Sequence, residues 1–313
     1  MTPSTSLTMI GRDAEASLAR ALATTADLVD EIVFVDTGST DRTCELAAAA
    51  RDRHGRQARV FPFIWCDDFS AARNESLRQA TGEWVFWMDC DDWLDEPDRQ
   101  ALAKLIAGLD DEHVVYQMLH VSPAASDGGH PASTAIQDRL FRNLPEVRWQ
   151  GRVHEQIVPA VLRSGGTVRT TSIAIQHTGY DDAAERRRKV ERNLRLLELE
   201  NAERPDNGHT LFYLGMTCGM AGRPAEAIVY LERSLAILSP RSRLRPRLYL
   251  LLADCCRLAG DAARARATCR EGLAAFPGDA DLARLQQDLR GEPPSFRVPG
   301  WLALLVGAGR ARM

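Results

Sequence analysis

From Leu7 to about residue 110, short apolar runs alternate with stretches that read as helix. Leu7 to Ile10 is a short apolar run, followed by Gly11-Arg12-Asp13 and a helical stretch from Glu15 to Ala26. Glu31-Ile-Val-Phe-Val-Asp36 is rich in β-branched and aromatic residues, the composition of a buried strand. It stops at a polar turn, Asp36-Thr-Gly-Ser-Thr-Asp41, beyond which the Ala-rich segment Arg42 to Arg53 predicts a helix capped by Asp41. Arg59 to Phe63 predicts a third strand, Ser70 to Ala80 a helix, and Trp84-Val-Phe-Trp-Met88 a buried strand running into Asp89-Cys90-Asp91-Asp92. Strands alternating with helices imply βαβ units and a mostly parallel sheet. Ligands of such sheets bind at the carboxyl ends of the strands, where the strand order reverses. Asp36 and Asp89 stand at those ends.

Between 111 and 180 the signal is mixed. Val114 to Val121 reads as a strand, Ser122 to Ser133 as a Gly/Pro/Ser loop, Arg139 to Arg142 as the start of a strand and Thr167 to Gln176 as another. Residues 182–204 read as a charged helix with Val190, Leu194 and Leu197 at helical spacing. The remaining chain repeats itself. Phe212-Tyr-Leu-Gly215, Ala221-Gly222, Ala227, Leu235 and Pro240 recur as Leu250-Leu-Leu-Ala253, Ala259-Gly260, Ala265, Leu273 and Pro277. Ala221 to Ala259 and Ala227 to Ala265 are both spaced by 38 residues. Two tetratricopeptide helix hairpins account for this, their usual period of about 34 residues lengthened by the linker Ser239–Arg245. The division expected is a catalytic α/β domain over 1–181, a linker helix over 182–205, helical repeats over 206–290 and a tail over 291–313.

Composition excludes several classes. Net charge is −4, with 45% hydrophobic and 26% charged residues, an ordinary globular profile without the basic stripe of a nucleic-acid binder. The 7 cysteines form no CxxC pair, so reduced thiols are expected. Met1 to Ser6 lacks the features of a signal peptide, and no apolar run reaches the roughly 18 residues of a membrane span. The expected location is therefore cytoplasmic, or peripheral at the inner membrane face, with Trp301 to Gly309 read as a terminal helix packing on the core.

The acidic cluster carries the clearest chemistry. Asp89 and Asp91, at i and i+2 just past a strand, can project onto one hard cation, Mg²⁺ or Mn²⁺, whose shell phosphate oxygens and water complete. Asp92 is read as shaping the turn. A DxD triplet alone is equally a solvated turn, and the preceding apolar strand decides for the site. Asp36 can accept a hydrogen bond from a base N–H or a ribose hydroxyl, and the Gly38-Ser39 turn lets backbone N–H groups approach a ligand.

Three blocks, Glu31 to Thr43, Trp65 to Asn74 and Ala80 to Asp92, together resemble the family 2 inverting glycosyltransferases of the GT-A fold. The resemblance is closest to the branch with C-terminal tetratricopeptide repeats, which includes lipopolysaccharide-core glucosyltransferases and peptide S-glycosyltransferases of bacteriocin pathways. It implies a Rossmann-like α/β catalytic domain followed by an all-α helical domain. It implies that Asp36, Arg73, Asn74, Asp89 and Asp91 contact a UDP-sugar donor, and that Asp89 and Asp91, completed by a late histidine, His177, hold Mn²⁺ or Mg²⁺. Arg139, at the start of its short strand, is read as a further contact to the donor diphosphate, the alternative being a solvated charge at a strand edge. Glu155, in Val153-His154-Glu155, has the position of the base that deprotonates the acceptor. Cys90 replaces the more usual alanine and adds an oxidisable thiol. The acceptor is expected to be a glycan, a lipid-linked glycan or a peptide, and the repeats are expected to mediate a homodimer or a protein contact. Two alternatives are a sugar-1-phosphate nucleotidyltransferase, whose Gly-rich loop Met9 to Asp13 does not supply, and a tetratricopeptide adaptor with a degenerate transferase domain.

Overall fold

The computed structural model describes residues 3–123, 133–178 and 183–289. Most of the loop expected at 122–133, and the whole tail with Trp301 to Gly309, lie outside them. The described residues form two compact units, one holding the sheet up to Thr178 and one holding the helices from Ala183 onward.

The first unit runs β1 (Thr5–Gly11), α1 (Leu18–Ala23), β2 (Glu31–Asp36), α2 (Thr43–Ala49), β3 (Arg59–Pro62), α3 (Phe69–Gln79), β4 (Trp84–Met88), β5 (Asp92–Trp93), α4 (Glu96–Ala107), β6 (Val114–Ser122), β7 (Ser133–Arg142), α5 (Val158–Arg163) and β8 (Thr167–His177). The eight strands form one sheet in the order β3-β2-β1-β4-β7-β6-β8-β5. β3, β2, β1 and β4 are parallel, and β7 runs antiparallel to both β4 and β6. The chain leaves β1 toward β2 and β3 on one side and returns with β4 on the other, so the strand order reverses beside β1. β4 is buried along its whole length, the continuous apolar pattern of a strand covered on both faces. Leu7, Met9, Phe34, Trp84, Phe86, Met88, Leu102, Ile106 and Leu140 form the core on one side; Val85, Trp87, Phe141, Trp149 and Ile157 form it on the other.

Two helices are shorter than their sequence patterns predict. α2 ends at Ala49, where Ala50 turns to extended backbone, and Asp52 then accepts from His54 N and Arg56 N in a tight turn. α1 begins only at Leu18, after turns anchored by Ala14 N donating to Thr43 and Glu15 N donating to Asp41. Local side-chain acceptors divert the backbone from helix in both places.

The second unit consists of α6 (Ala183–Glu203), α7 (Gly208–Met220), α8 (Pro224–Ile237), α9 (Arg245–Leu258), α10 (Ala262–Ala275) and α11 (Ala280–Asp288). Asn207, Asp261 and Asp279 cap α7, α10 and α11 by accepting N–H groups of the first turn. Gly215 lets α7 and α8 cross closely, since a Cβ there would stand 2.5 Å from Leu231. Among the described residues no helix is long and apolar enough to cross a membrane.

Candidate active site

β2 and β4 deliver their acidic residues to the same edge of the sheet. Thr37 N donates to Gly11 O just beyond β1 and β2, and Gly11 is paired with Asp36. The Asp36 carboxylate accepts from Gly38 N and Ser39 N at 3.1 Å, closing the turn that follows β2. Gly38 takes φ +108°, which an L side chain rarely adopts. Cys90 fills the space between the strand ends: a Cβ on Gly11 would lie 2.7 Å from its sulfur. Its thiol is buried, donates to Ile10 O at 3.4 Å, and is pushed well above the usual thiol range by burial and by Asp89, Asp91 and Asp92. The oxidisable thiol expected at this position is therefore a protonated packing group.

The segment after β7 is folded back onto α3. Gln150 and Gln156 exchange backbone hydrogen bonds at 3.0 and 2.9 Å, closing a short loop. α3 holds it in place: Asn74 Nδ2 donates to Trp149 O at 3.0 Å and Asn74 Oδ1 accepts from Trp149 N at 2.9 Å. Phe69 N donates to Arg152 O, and Arg152 Nη1 donates to Asp67 O. Within the loop His154 takes φ +56°, a left-handed conformation for a non-glycine residue. Glu155 is thereby brought to Arg73.

Arg73 is the bridge. Its Nε donates to Glu155 Oε1 at 3.0 Å and its Nη2 to Asp89 Oδ1 at 2.9 Å. The guanidinium is buried and lies 4.0 Å from the Trp87 ring centroid. Burial would push Asp89 up, but Arg73, with help from Arg139, outweighs it and holds the carboxyl below the usual range.

A second cluster lies alongside. Asp92 has no exposed surface. Its Oδ2 pairs with Arg139 Nη1 at 2.8 Å and accepts from Asp89 N at 3.1 Å. Its Oδ1 meets His177 Nδ1 at 3.0 Å and His120 Nε2 at 3.4 Å. His177 Nε2 stands 3.5 Å from Asp91 Oδ2. Burial works against charge on both imidazoles. It prevails at His120, which is lowered, whereas Asp92, Asp91 and Asp89 overcome it at His177, which is raised. Arg139 is also fully buried, 3.9 Å from the Trp87 centroid, so this arginine of the strand is a core residue and not a solvated edge.

The glycosyl transferase family 2 profile matches residues 7–165, the segment that carries all of these acids and Arg73. The chain belongs to glycosyl transferase family 2. A tetratricopeptide repeat profile matches residues 220–289. A TPR repeat-containing protein of Synechococcus elongatus is 34% identical over 264 residues, covering 82% of this chain and 62% of that one. The SPbeta prophage-derived glycosyltransferase SunS of Bacillus subtilis is 27% identical over 243 residues, covering 75% and 54%. The lipopolysaccharide core biosynthesis glycosyltransferase LpsC of Rhizobium meliloti is 33% identical over 149 residues, covering 46% and 52%. The chain thus spans between half and 62% of the length of these relatives. Among solved structures, Staphylococcus aureus TarS 1–349 in complex with UDP-GlcNAc is similar at a TM-score of 0.43 and 14% identity, covering 91% of this chain and 90% of that one.

Within this family 2 domain the structure brings Arg73, Asp89 and Glu155 into direct contact, and Asp91 and His177 together beside them. Asn74 meets the backbone of Trp149, and Arg139 meets Asp92. Asp36 ends β2 and accepts from the turn that follows it. His120 escapes sequence reasoning. A histidine inside the apolar run Val114 to Val121 is the available signal, and only the β6–β8 pairing, His120 with Ile175, brings it toward His177. Asp92 does more than shape the turn, because β5 pairs it directly with His177 of β8.

Proposed function

We propose that this chain is a metal-dependent inverting glycosyltransferase that moves a sugar from a UDP-sugar to a hydroxyl or thiol of a glycan or peptide. The observation that carries the reading is the Arg73 bridge. One buried guanidinium couples the carboxylate that would receive the acceptor proton, Glu155, to the first aspartate of the strand-end DxD, Asp89.

In the proposed reaction the acceptor oxygen or sulfur attacks the anomeric carbon from the face opposite the diphosphate. The bond between that carbon and the β-phosphate oxygen breaks, UDP departs with the bonding pair, and configuration inverts. Glu155 takes the acceptor proton; Arg73 engages its Oε1 and so fixes the direction of the carboxylate. Asp36 reads the uridine from the end of β2, its carboxylate fixed by the N–H groups of Gly38 and Ser39. Asn74 acts by fixing Trp149 and hence the loop that carries Glu155.

Asp89, Asp91 and His177 would hold the cation. Carboxylate oxygens suit Mn²⁺ or Mg²⁺, a nitrogen ligand among them favours Mn²⁺ of the two, and Asp91 Oδ2 and His177 Nε2 are close enough to share one ion. Asp92, His120 and His177 also offer atoms within 4.8 Å of one another. An ion among those three would sit against the buried cation of Arg139, which already neutralises Asp92, so the Asp91 side is the better site. When bound, a divalent ion supplies positive charge to the leaving diphosphate, the main stabilisation such a transfer requires.

The test is the release of UDP from UDP-glucose and UDP-GlcNAc by the full chain with and without Mn²⁺, alongside calorimetric UDP binding. Asp91→Ala is expected to abolish Mn²⁺-dependent UDP binding and turnover while remaining folded. Glu155→Gln is expected to keep Mn²⁺-dependent UDP binding and lose turnover by about 10²- to 10⁴-fold, the usual worth of a general base. Full activity in either variant overturns the assignment.

A further inference from the structure

We infer that Asp92 is a positioning residue that selects which nitrogen of His177 faces the cation site, and is not itself a ligand. The inference rests on the metal site proposed above and deepens it. An ionised carboxylate offers about four acceptor positions. On Asp92 three donors already face them, Arg139 Nη1 and Asp89 N at Oδ2 and His177 Nδ1 at Oδ1, while His120 Nε2 stands 3.4 Å from Oδ1 without completing a hydrogen bond. Both oxygens are already engaged and neither has exposed surface, so Asp92 is poorly placed to take an ion.

What these bonds do is visible at His177. The antiparallel bridge between β5 and β8 sets Asp92 opposite His177, and Thr178 N donates to Asp91 O at 3.0 Å on the next residue pair. Backbone pairing thus fixes the carboxylate beside Nδ1 of the imidazole and leaves Nε2 on the side of Asp91. A neutral imidazole carries one N–H. If Nδ1 donates it to Asp92, the lone pair is on Nε2, where a cation can use it; in the other tautomer Nε2–H would point a proton at the ion. The His120 ring, 4.7 Å from that of His177 and tilted by 46°, leaves little room for the ring to turn over. Arg139 Nη1, 2.8 Å from Oδ2, directs the carboxylate. A carboxylate behind a ligating histidine fixes its tautomer and strengthens it as a donor, and removing such a partner typically weakens metal binding about 10- to 100-fold.

Two measurements on the full chain test this. Imidazole ¹⁵N–¹H correlation spectra of the metal-free wild type, recorded where His177 is neutral, are expected to show the proton on Nδ1 and none on Nε2. Titration of Mn²⁺ in the presence of UDP, followed by the resonance of free Mn²⁺, is expected to show affinity about 10- to 100-fold weaker in Asp92→Asn, with UDP binding in the absence of metal unchanged. An Nε2–H tautomer in the wild type overturns the inference, and so does Asp92→Asn binding Mn²⁺ as tightly as the wild type. Should the variant fail to fold, because it disturbs the partner of a buried arginine, the wild-type spectrum still decides. Wild-type protein that binds no Mn²⁺ with UDP overturns the metal site itself, a result distinct from the other two.

Discussion

Arg73 has to hold two carboxylates from different parts of the chain, and its shape is what allows it. Its Nε and Nη2 donate to Glu155 and Asp89 from one rigid plane, and that plane also packs on Trp87. Lysine carries a similar charge but presents a single ammonium on a flexible stem. Arg73→Lys should therefore leave the protein folded with Glu155 and Asp89 no longer held together. Since displacing a reacting group by about 1 Å can cost about 10²-fold, UDP release from a UDP-sugar is expected to fall at least that far. Unchanged turnover would remove Arg73 from the mechanism. The cysteines give a second prediction at this scale. Cys66 is exposed and Cys44 half-buried, whereas Cys90, Cys218, Cys255, Cys256 and Cys269 are buried. Burial raises Cys218 to about 11 and Cys255 to about 12, so both are thiols at neutral pH. A disulfide-exchange reagent should label Cys66 at once, Cys44 slowly and the other five only after denaturant is added. Early labelling of any buried cysteine contradicts the packing described above.

At the scale of elements, α3 and the loop 149–156 behave as one part. Asn74 satisfies both backbone groups of Trp149, so Asn74→Ala leaves an N–H and a C=O without partners in a half-buried place, a cost of about 1–3 kcal/mol each where they are cut off from water. The expected outcome is a lower unfolding midpoint together with a lower turnover number, while Mn²⁺-dependent UDP binding persists. Loss of UDP binding instead would mean that Asn74 contacts the nucleotide directly. These elements also show what a sequence can and cannot reveal. β2 and β4 were legible because a buried parallel strand is an unbroken apolar run, and an acid directly after such a run stands at the ligand edge. The repeat helices were legible from their spacing of 38 residues. The partners of Asp92 were not, because they depend on sheet neighbours distant in sequence: β6 pairs with both β7 and β8, and β8 with β5. Arg139 read as a charge at a strand edge, and only the position of β7 between β4 and β6 makes it a core residue. The early end of α2 was missed for a local reason, the competition of Asp52 for backbone N–H groups.

At the scale of the whole molecule the two units should respond oppositely to acid. At the amino-terminal end of β2, burial alone would raise Glu31, yet hydrogen bonds from Ser6 and Thr81 and the charge of Arg59 outweigh it and hold Glu31 below its ordinary 4.5. Asp30 and Asp52 nearby are likewise lowered, burial being outweighed by backbone N–H donors and by Arg53 and Arg56. Groups lowered in the folded state add stability above their unfolded values, and that stability is lost as pH falls through the folded ones. In the helical unit Asp254 has the reverse character. It has no exposed surface, and burial raises it above its ordinary 3.8 despite Arg257 at 2.7 Å. The folded state there favours the protonated acid, so its contribution is full below pH 3.8 and is lost as pH rises through the folded value. Five of the six tryptophans, Trp65, Trp84, Trp87, Trp93 and Trp149, lie in the sheet unit, so fluorescence follows mainly that unit while far-ultraviolet circular dichroism weights the helices. Denaturant midpoints by fluorescence should fall as pH drops below about 4.5, and Glu31→Gln should be less stable than wild type at pH 7 and flatten that dependence. Asp254→Asn should raise the dichroism midpoint at pH 7, because it removes a charge that the folded unit disfavours, and the gain should vanish as the pH approaches 4. A dichroism midpoint lowered at pH 7 by Asp254→Asn would mean that the ion pair with Arg257 outweighs the burial of Asp254, reversing the sign argued for the helical unit.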